Sequence, residues 1–294
     1  MSNTTTYNKA TITNPPLPPN TNPNYIDVIC TSFQTQLDIV PYPAYPNVVI
    51  DIYKEMCNVN TNRPVIICLH GGGGTRKNPS IIEYAQDFAS RGYLAVCADY
   101  GSTNIDTMAN VCAINRYFRA NAVAYGINTS NIIDMGVSLG GITAWQVNIG
   151  AKDLDSGTPF FSKPINSENS SYSSVPLCTM SQSGAPTAGV LAYLTNQSHA
   201  HFDYHGTVDC TVSYSSAQCG VSGALQGYNA MQALGIASTF TPYLGAAHIL
   251  QPYHSQILLG GGTQVVGQAQ NAYASNTFTT DIGIIRKIAA LLVP

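Results

Sequence analysis

Charge is scarce in this chain. Asp, Glu, Lys and Arg make up 9% of its 294 residues, where about 25% is usual for a soluble domain. Twelve basic against fifteen acidic residues leave a formal net charge of −3, which gives nucleic acid or an anionic membrane surface nothing to bind. No apolar run reaches the ~18 residues of a membrane span. A C-x-x-C pair is missing, which removes a zinc-ribbon reading. The glycine run that starts at Gly71 continues Thr75-Arg76-Lys77. It therefore lacks the Gly-Lys-Ser/Thr ending of a phosphate-binding loop. No metal and no cofactor are expected. The first ten residues are polar and lack the apolar centre of a signal peptide. The chain is then either cytosolic or exported with its leader removed, and export is the preferred reading.

Cysteine, by contrast, is plentiful, with eight residues. Cys68 and Cys97 fall in strands expected to be buried and Cys112 in an expected helix, so these three read as core thiols packed like small apolar side chains. Cys210 and Cys219 bracket a polar loop and could close it as a disulfide in an oxidising compartment.

Residues 1–24 are rich in Thr, Asn and Pro and are expected to be extended. Beyond them, apolar runs and helical patterns alternate through residues 25–294, as a single α/β domain would show. The expected strands are Tyr25–Thr31, Asn47–Tyr53, Pro64–Leu69, Tyr93–Ala98, the run from Ile132, Val175–Met180, Ala200–Tyr204 and Ala237–Tyr243. The expected helices are Pro79–Arg91, Ile105–Tyr125, Gly141–Ile149, Thr187–Leu194, Gly223–Leu234 and an amphipathic Asp281–Leu292. Pro64–Leu69 is a continuous apolar run suited to a strand covered on both faces. Alternation of this kind points to an α/β fold with a mostly parallel, twisted sheet and helices on both faces. Gly150–Ser174 breaks the pattern and reads as a short polar loop or lid.

The chain is organised around Gly136-Val137-Ser138-Leu139-Gly140. An apolar run precedes this G-x-S-x-G and a helical stretch follows, so Ser138 would be thrust out on a sharp strand-to-helix turn. A serine hydroxyl needs a base to accept its proton, and the base needs a carboxylate to orient it. In a wound sheet these partners come from loops after later strands, in the order serine, acid, histidine. Asp209, in His205-Gly206-Thr207-Val208-Asp209, is favoured as the acid over Asp203, Asp153 and Asp155. His248, among small residues after the last strand, is favoured as the base over His254. The run His70-Gly71-Gly72-Gly73-Gly74 directly follows a strand, and its bare backbone could turn N–H groups toward a negative oxygen.

Together, His-Gly-Gly-Gly after a strand, Gly-x-Ser-x-Gly, His-Gly-Thr-x-Asp and a late Gly-x-x-His loop resemble the α/β-hydrolase superfamily. The similarity is to its carboxylesterase and lipase branch and covers roughly residues 45–294. The stretch Arg119–Ile127 also looks like the segment before the elbow in bacterial esterases. The resemblance implies Ser138 as nucleophile, Asp209 as acid and His248 as base, with the backbone amides of Gly72, Gly73 and Leu139 as oxyanion hole. It implies a serine carboxylic-ester hydrolase with no large cap domain, since the Pro-rich residues 1–24 cannot form the helical cap of some relatives. The expected partner is a small-molecule or polymer-borne ester with a short acyl group, such as an acylated sugar, a feruloyl-like aryl ester or a polyester end. A peptidase or an acyltransferase on the same fold is the alternative, and a non-catalytic binding module is disfavoured. Trp145 and Tyr100 are further candidates for substrate contact, although Trp145 fits core packing better. Arg76 and Lys77 read as solvated loop charges.

Overall fold

The computed structural model describes residues 24–57, 60–101, 104–156, 169–215, 221–250, 254–260, 263–265, 275–277 and 283–292. Eight strands form one sheet: β1 (Phe33–Ile39), β2 (Val49–Glu55), β3 (Arg63–Leu69), β4 (Leu94–Asp99), β5 (Ile127–Val137), β6 (Cys178–Gln182), β7 (Ala200–Gly206) and β8 (Ser238–Tyr243). Their spatial order is β1-β2-β4-β3-β5-β6-β7-β8. β2 pairs antiparallel with β1 and β4, and every other pair is parallel. A separate two-stranded pair joins β9 (Thr263–Val265) to β10 (Ser275–Thr277).

The helices are α1 (Pro79–Ala89), α2 (Asn104–Ala120), α3 (Ala122–Tyr125), α4 (Leu139–Asp155), α5 (Ala224–Ala233), α6 (His254–Leu259) and α7 (Gly283–Ala289). Successive strand residues point to opposite faces, and here they feed two separate cores. Ile66, Cys68, Ile133 and Met135 pack with Tyr84 and Phe88 of α1, Ile257 of α6 and Ile285 of α7. Val65, Ile67, Leu69 and Ile132 pack with Val111 and Phe118 of α2, Trp145 of α4 and Met231 of α5. This is the mostly parallel sheet with helices on both faces of an α/β-hydrolase. β3 shows no alternation of polar and apolar residues along Pro64–Leu69, because both of its faces are covered.

Several elements depart from the sequence expectation. Tyr25–Thr31 is not a strand. Its backbone turns to α1 instead, with the Ile29 and Cys30 amides on Ser90 O and Arg91 Nε on Ile26 O. The helix expected over Ile105–Tyr125 is broken at Asn121, whose side chain caps back onto Tyr117 O at 2.8 Å. Thr187–Leu194 contains only a 3₁₀ turn, Val190–Tyr193. The supposed lid begins as helix, since α4 runs to Asp155. Its described remainder, from Asn169, is pinned there: Ser174 N and Oγ reach Asp155 at 2.7 Å, and Arg119 holds Ser173 O and Val175 O. Ser138 lies at the other end of this 17-residue helix, about 25 Å away at 1.5 Å per residue. The described part of that stretch therefore does not cover the elbow. Residues 157–168, and the expected extended segment up to residue 23, lie outside the described residues.

Cys68, Cys97, Cys112 and Cys178 are buried free thiols. Cys210 is free and exposed, so it makes no bridge to Cys219, which lies outside the described residues. The acid loop needs none, because Asp209 Oδ1 already accepts from the Thr211 and Val212 amides at 2.8 and 3.0 Å. The disulfide in the structure is Cys30–Cys57, which ties the segment before β1 to the end of β2.

One buried carboxyl makes the fold pH-sensitive. Asp134 of β5 is fully buried, and burial pushes it up to about 7, only partly offset by the 2.9 Å hydrogen bond from Asn115. Between its ordinary value near 4 and about 7, the folded chain holds this proton and the unfolded chain releases it. The folded state then binds more protons, so this group's contribution to stability falls as pH rises through that window. Asp134→Asn should flatten that slope and raise stability at pH 8, as read from urea midpoints at pH 5 and 8.

Candidate active site

Ser138 sits between β5 and α4 with φ 56° and ψ −116°. A side chain in that region of backbone space is strained, and the surrounding packing must hold it there. The Ser138 amide donates to Gln182 O at the end of β6, while Ser138 O accepts from Ile142 N and opens α4. The flanking glycines are a steric requirement. A Cβ at Gly136 would collide with the Gly140 carbonyl, and one at Gly140 would collide with Leu69 O. Only bare backbone lets strand, elbow and helix approach so closely.

The structure brings Ser138, His248 and Asp209 together across 110 and 39 residues of chain. His248 Nε2 lies 2.8 Å from Ser138 Oγ, and His248 Nδ1 lies 2.8 Å from Asp209 Oδ2. A carboxylate only accepts, so Nδ1 carries a proton and Nε2 is left to accept from the serine. Asp209 is nearly enclosed, at 7% exposure. Burial alone would raise its pKa, but hydrogen bonds from His205, His248 and the Val212 amide outweigh it and hold the carboxyl well below the usual range. Such a chain can draw a proton from a hydroxyl and return it to a leaving group.

The glycine run lies over the elbow. A Cβ at Gly71 would be 3.4 Å from Ser138 Cβ, and one at Gly72 would be 3.8 Å from Leu139 Cβ. Gly73 has φ 73° and open space around it, and Gly74 N closes the turn onto Gly71 O at 3.0 Å. With Leu139 the first residue of α4, these backbones are adjacent to the serine and beside the positive end of a helix.

Three residues do something other than the sequence suggested. Tyr100 is fully buried and donates its hydroxyl to His70 O, so it braces the glycine run and lines no substrate surface. Trp145 is also fully buried; its indole N–H donates to Asp203 at 3.1 Å and its ring packs on His201. Arg76 is not a solvated loop charge. It joins the glycine run to the sheet through Asp38, Asp51 and Asp99, and Lys77 adds a 2.7 Å pair to Asp51. An arginine reaching three carboxylates is a network, which holds geometry better than isolated surface pairs do.

His254, the other histidine considered as base, is elsewhere. It binds Asp87 of α1 at 2.9 Å and packs on Tyr84. With Glu83 and Asp87 it brings three donor atoms within 4.8 Å of one another. The hydrogen bond to Asp87 already accounts for it as a contact joining α6 to α1. Behind Asp209 lies a polar row, His201, Asp203 and His205 of β7, all fully or nearly fully buried; in the sequence Asp203 stands only as a rival acid, unlinked to the two histidines. Their spacing of two within a strand was the available signal, since it places all three on one face.

Fold and site together are an α/β-hydrolase fold carrying a serine, a histidine and a carboxylate in one hydrogen-bonded chain. Residues 50–175 match the BD-FAE family model, an esterase family of this fold. Among curated proteins no sequence matches. Solved structures with the same fold include esterase 2 of the planctomycete Thermogutta terrifontis. Its tabun-phosphoramylated form has a TM-score of 0.59 at 20% identity, over 74% of this chain and 84% of that one. Its butyrate-bound form has 0.55 at 21% identity, over 68% and 80%. A truncated carbohydrate esterase from gut microbiota has 0.57 at 16% identity, over 76% and 93%. In the described residues no helix is long and apolar enough to cross a membrane.

Proposed function

We propose that this protein hydrolyses carboxylic esters of short acyl groups through Ser138, His248 and Asp209. The observation that carries the reading is the unbroken hydrogen-bonded chain of 2.8 Å from Ser138 to His248 and 2.8 Å from His248 to Asp209. Ser138 Oγ attacks the ester carbonyl carbon as its proton passes to His248 Nε2. The carbonyl oxygen becomes an oxyanion facing the amides of Gly72, Gly73 and Leu139. Its collapse breaks the C–O bond, and His248 returns the proton to the departing alcohol. A water molecule, deprotonated by His248, then attacks the acyl-serine and releases the acid. Asp209 keeps the imidazole in the required tautomer and stabilises the imidazolium that forms.

Preference for short acyl groups is supported by the lack of a helical roof over the elbow among the described residues. Val208 and Ile249, next in sequence to the acid and the base, are exposed at 49% and 74% and leave apolar surface beside them open to solvent. A tunnel would add about 0.8 kcal/mol for each buried methylene and favour long chains steeply. Propionate and butyrate occupy the Thermogutta esterase structures, and a neighbour of the same fold is a carbohydrate esterase. A panel of p-nitrophenyl esters should show best turnover at C2 to C6, without a rate jump at an oil–water interface. Acylated sugars, feruloyl esters and polyester ends would be cleaved alongside them. A profile peaking at C12 or beyond, or preference for peptide amides, would overturn the reading.

We propose further that the enzyme works in an oxidising compartment, which the Cys30–Cys57 bridge supports. The bridge closes a 27-residue separation, so reducing it should cost about 3–4 kcal/mol. Calorimetry with and without reductant should show a clear drop in Tm, and non-reducing peptide mapping should recover Cys30 joined to Cys57.

A further inference from the structure

The oxygen of Asp209 that holds His248 is shared with a second histidine. His205 Nε2 lies 3.3 Å from Asp209 Oδ2, while His248 Nδ1 lies 2.8 Å from the same atom. His205 is fully buried. Its Nε2 also meets Val212 O at 2.9 Å, so every group against that nitrogen is an acceptor and the nitrogen must carry a proton. The opposite nitrogen, Nδ1, faces another acceptor, Asp203 Oδ1, at 3.9 Å. A neutral ring would aim its lone pair at that carboxylate. A doubly protonated ring suits both sides.

The surroundings of Asp203 point the same way. Its carboxylate is fully buried and takes the Trp145 indole N–H on Oδ2. His201 Nε2 is 3.8 Å from that oxygen. Asn148 Nδ2 donates to Thr179 Oγ1 at 2.8 Å, and the same hydroxyl oxygen lies 2.7 Å from His201 Nδ1. Burial, the first cause, depresses the pKa of His201 and favours its neutral ring. Tyr214 also faces His205, edge-on at 6.1 Å between centroids, and burial raises its pKa so that it stays neutral. Two buried carboxylates thus face one imidazole that can neutralise them, and buried charges persist only when paired. Burial pushes His205 down, but Asp203 and then Asp209 outweigh it and raise it to about 10.

We propose that His205 is a permanently charged positioning residue, an imidazolium clamped between Asp203 and Asp209 that fixes the carboxylate under His248 and opposes premature protonation of that base. The proposal rests on the reading of Ser138, His248 and Asp209 as the reacting groups. It requires no chemistry at His205 itself. A positive charge on the far side of Asp209 weakens the field that Asp209 exerts on His248. The base therefore stays free at lower pH, while the carboxylate stays ionised.

Two measurements test this. In protein labelled with ¹⁵N-histidine, one histidine should show both ring nitrogens protonated at pH 8. That signal should vanish in His205→Gln and turn neutral in Asp203→Asn, a change that keeps the side chain's size. Second, both variants should move the acid limb of the kcat/KM–pH profile upward by about one pH unit, and the double variant should move it no further than either single one. A purely structural His205 would lower Tm and leave the limb in place. No imidazolium at pH 8, or an unmoved limb in a folded and active Asp203→Asn enzyme, overturns the proposal. Absence of esterase activity in the unsubstituted protein would instead overturn the assigned reaction, and the NMR result does not depend on it.

Discussion

Ser138→Ala should abolish ester hydrolysis while leaving the fold intact. Loss of the serine removes the atom that bonds to the acyl group, and removal of one member of such a set costs on the order of 10⁴-fold or more in kcat. The substitution deletes one hydroxyl from a residue whose backbone is held by Gln182 O and Ile142 N, so circular dichroism and Tm should change little. Alanine at φ 56° keeps the same backbone strain as serine, and it adds none. Intact-mass analysis after treatment with an organophosphonate should find one adduct, mapped to Ser138, and none in the variant. Activity surviving in Ser138→Ala, or an adduct at another residue, would refute the assigned nucleophile.

His248→Ala should be nearly as damaging, because the serine then has no acceptor at 2.8 Å. Asp209→Asn should cost about 10⁴-fold with the fold retained. An amide placed against His248 Nδ1 can turn its own N–H toward the ring and select the tautomer that puts the imidazole proton on Nε2, where the serine proton must go. His254→Ala is the control. Its ring binds Asp87 on α1, far along the chain and on another element from the elbow, so it should lose stability by about 1 kcal/mol and keep its rate. Equal damage from His254→Ala and His248→Ala, measured as kcat/KM on a short p-nitrophenyl ester, would mean that the base has been misassigned.

Much of the fold is legible in the chain because its signals are local. Pro64–Leu69 is apolar throughout because both faces of β3 are covered, and Tyr93–Ala98 behaves alike as β4. The elbow is legible for a related reason: a serine between two glycines, after an apolar run and before a helix, has few other places to be. Where the local pattern misleads, a tertiary contact decides. Tyr25–Thr31 has a strand's composition, yet its amides find Ser90 O at the end of α1. Helical spacing continues through Asn121, yet that side chain caps its own helix and ends it.

By itself the sequence determined the α/β class, the position of the elbow, the glycine run beside it, and the loops from which an acid and a histidine could reach Ser138. Each follows from periodicity, from glycine's freedom at a close approach, or from chain order in a wound sheet. Only the tertiary structure decided which cysteines pair, for a disulfide needs two Cα atoms at about the 5.7 Å seen for Cys30 and Cys57, and spacing along the chain does not report that distance. Only it removed Trp145 and Tyr100 from the substrate surface, because burial belongs to the neighbours of a side chain and not to the side chain. It also placed the polar segment Asn169–Ser174 away from the elbow, at the far end of α4, since helix length, not sequence distance, sets where a loop emerges. And it put His205 between two carboxylates, where a residue that reads as one polar position in a strand becomes a charge held in the interior.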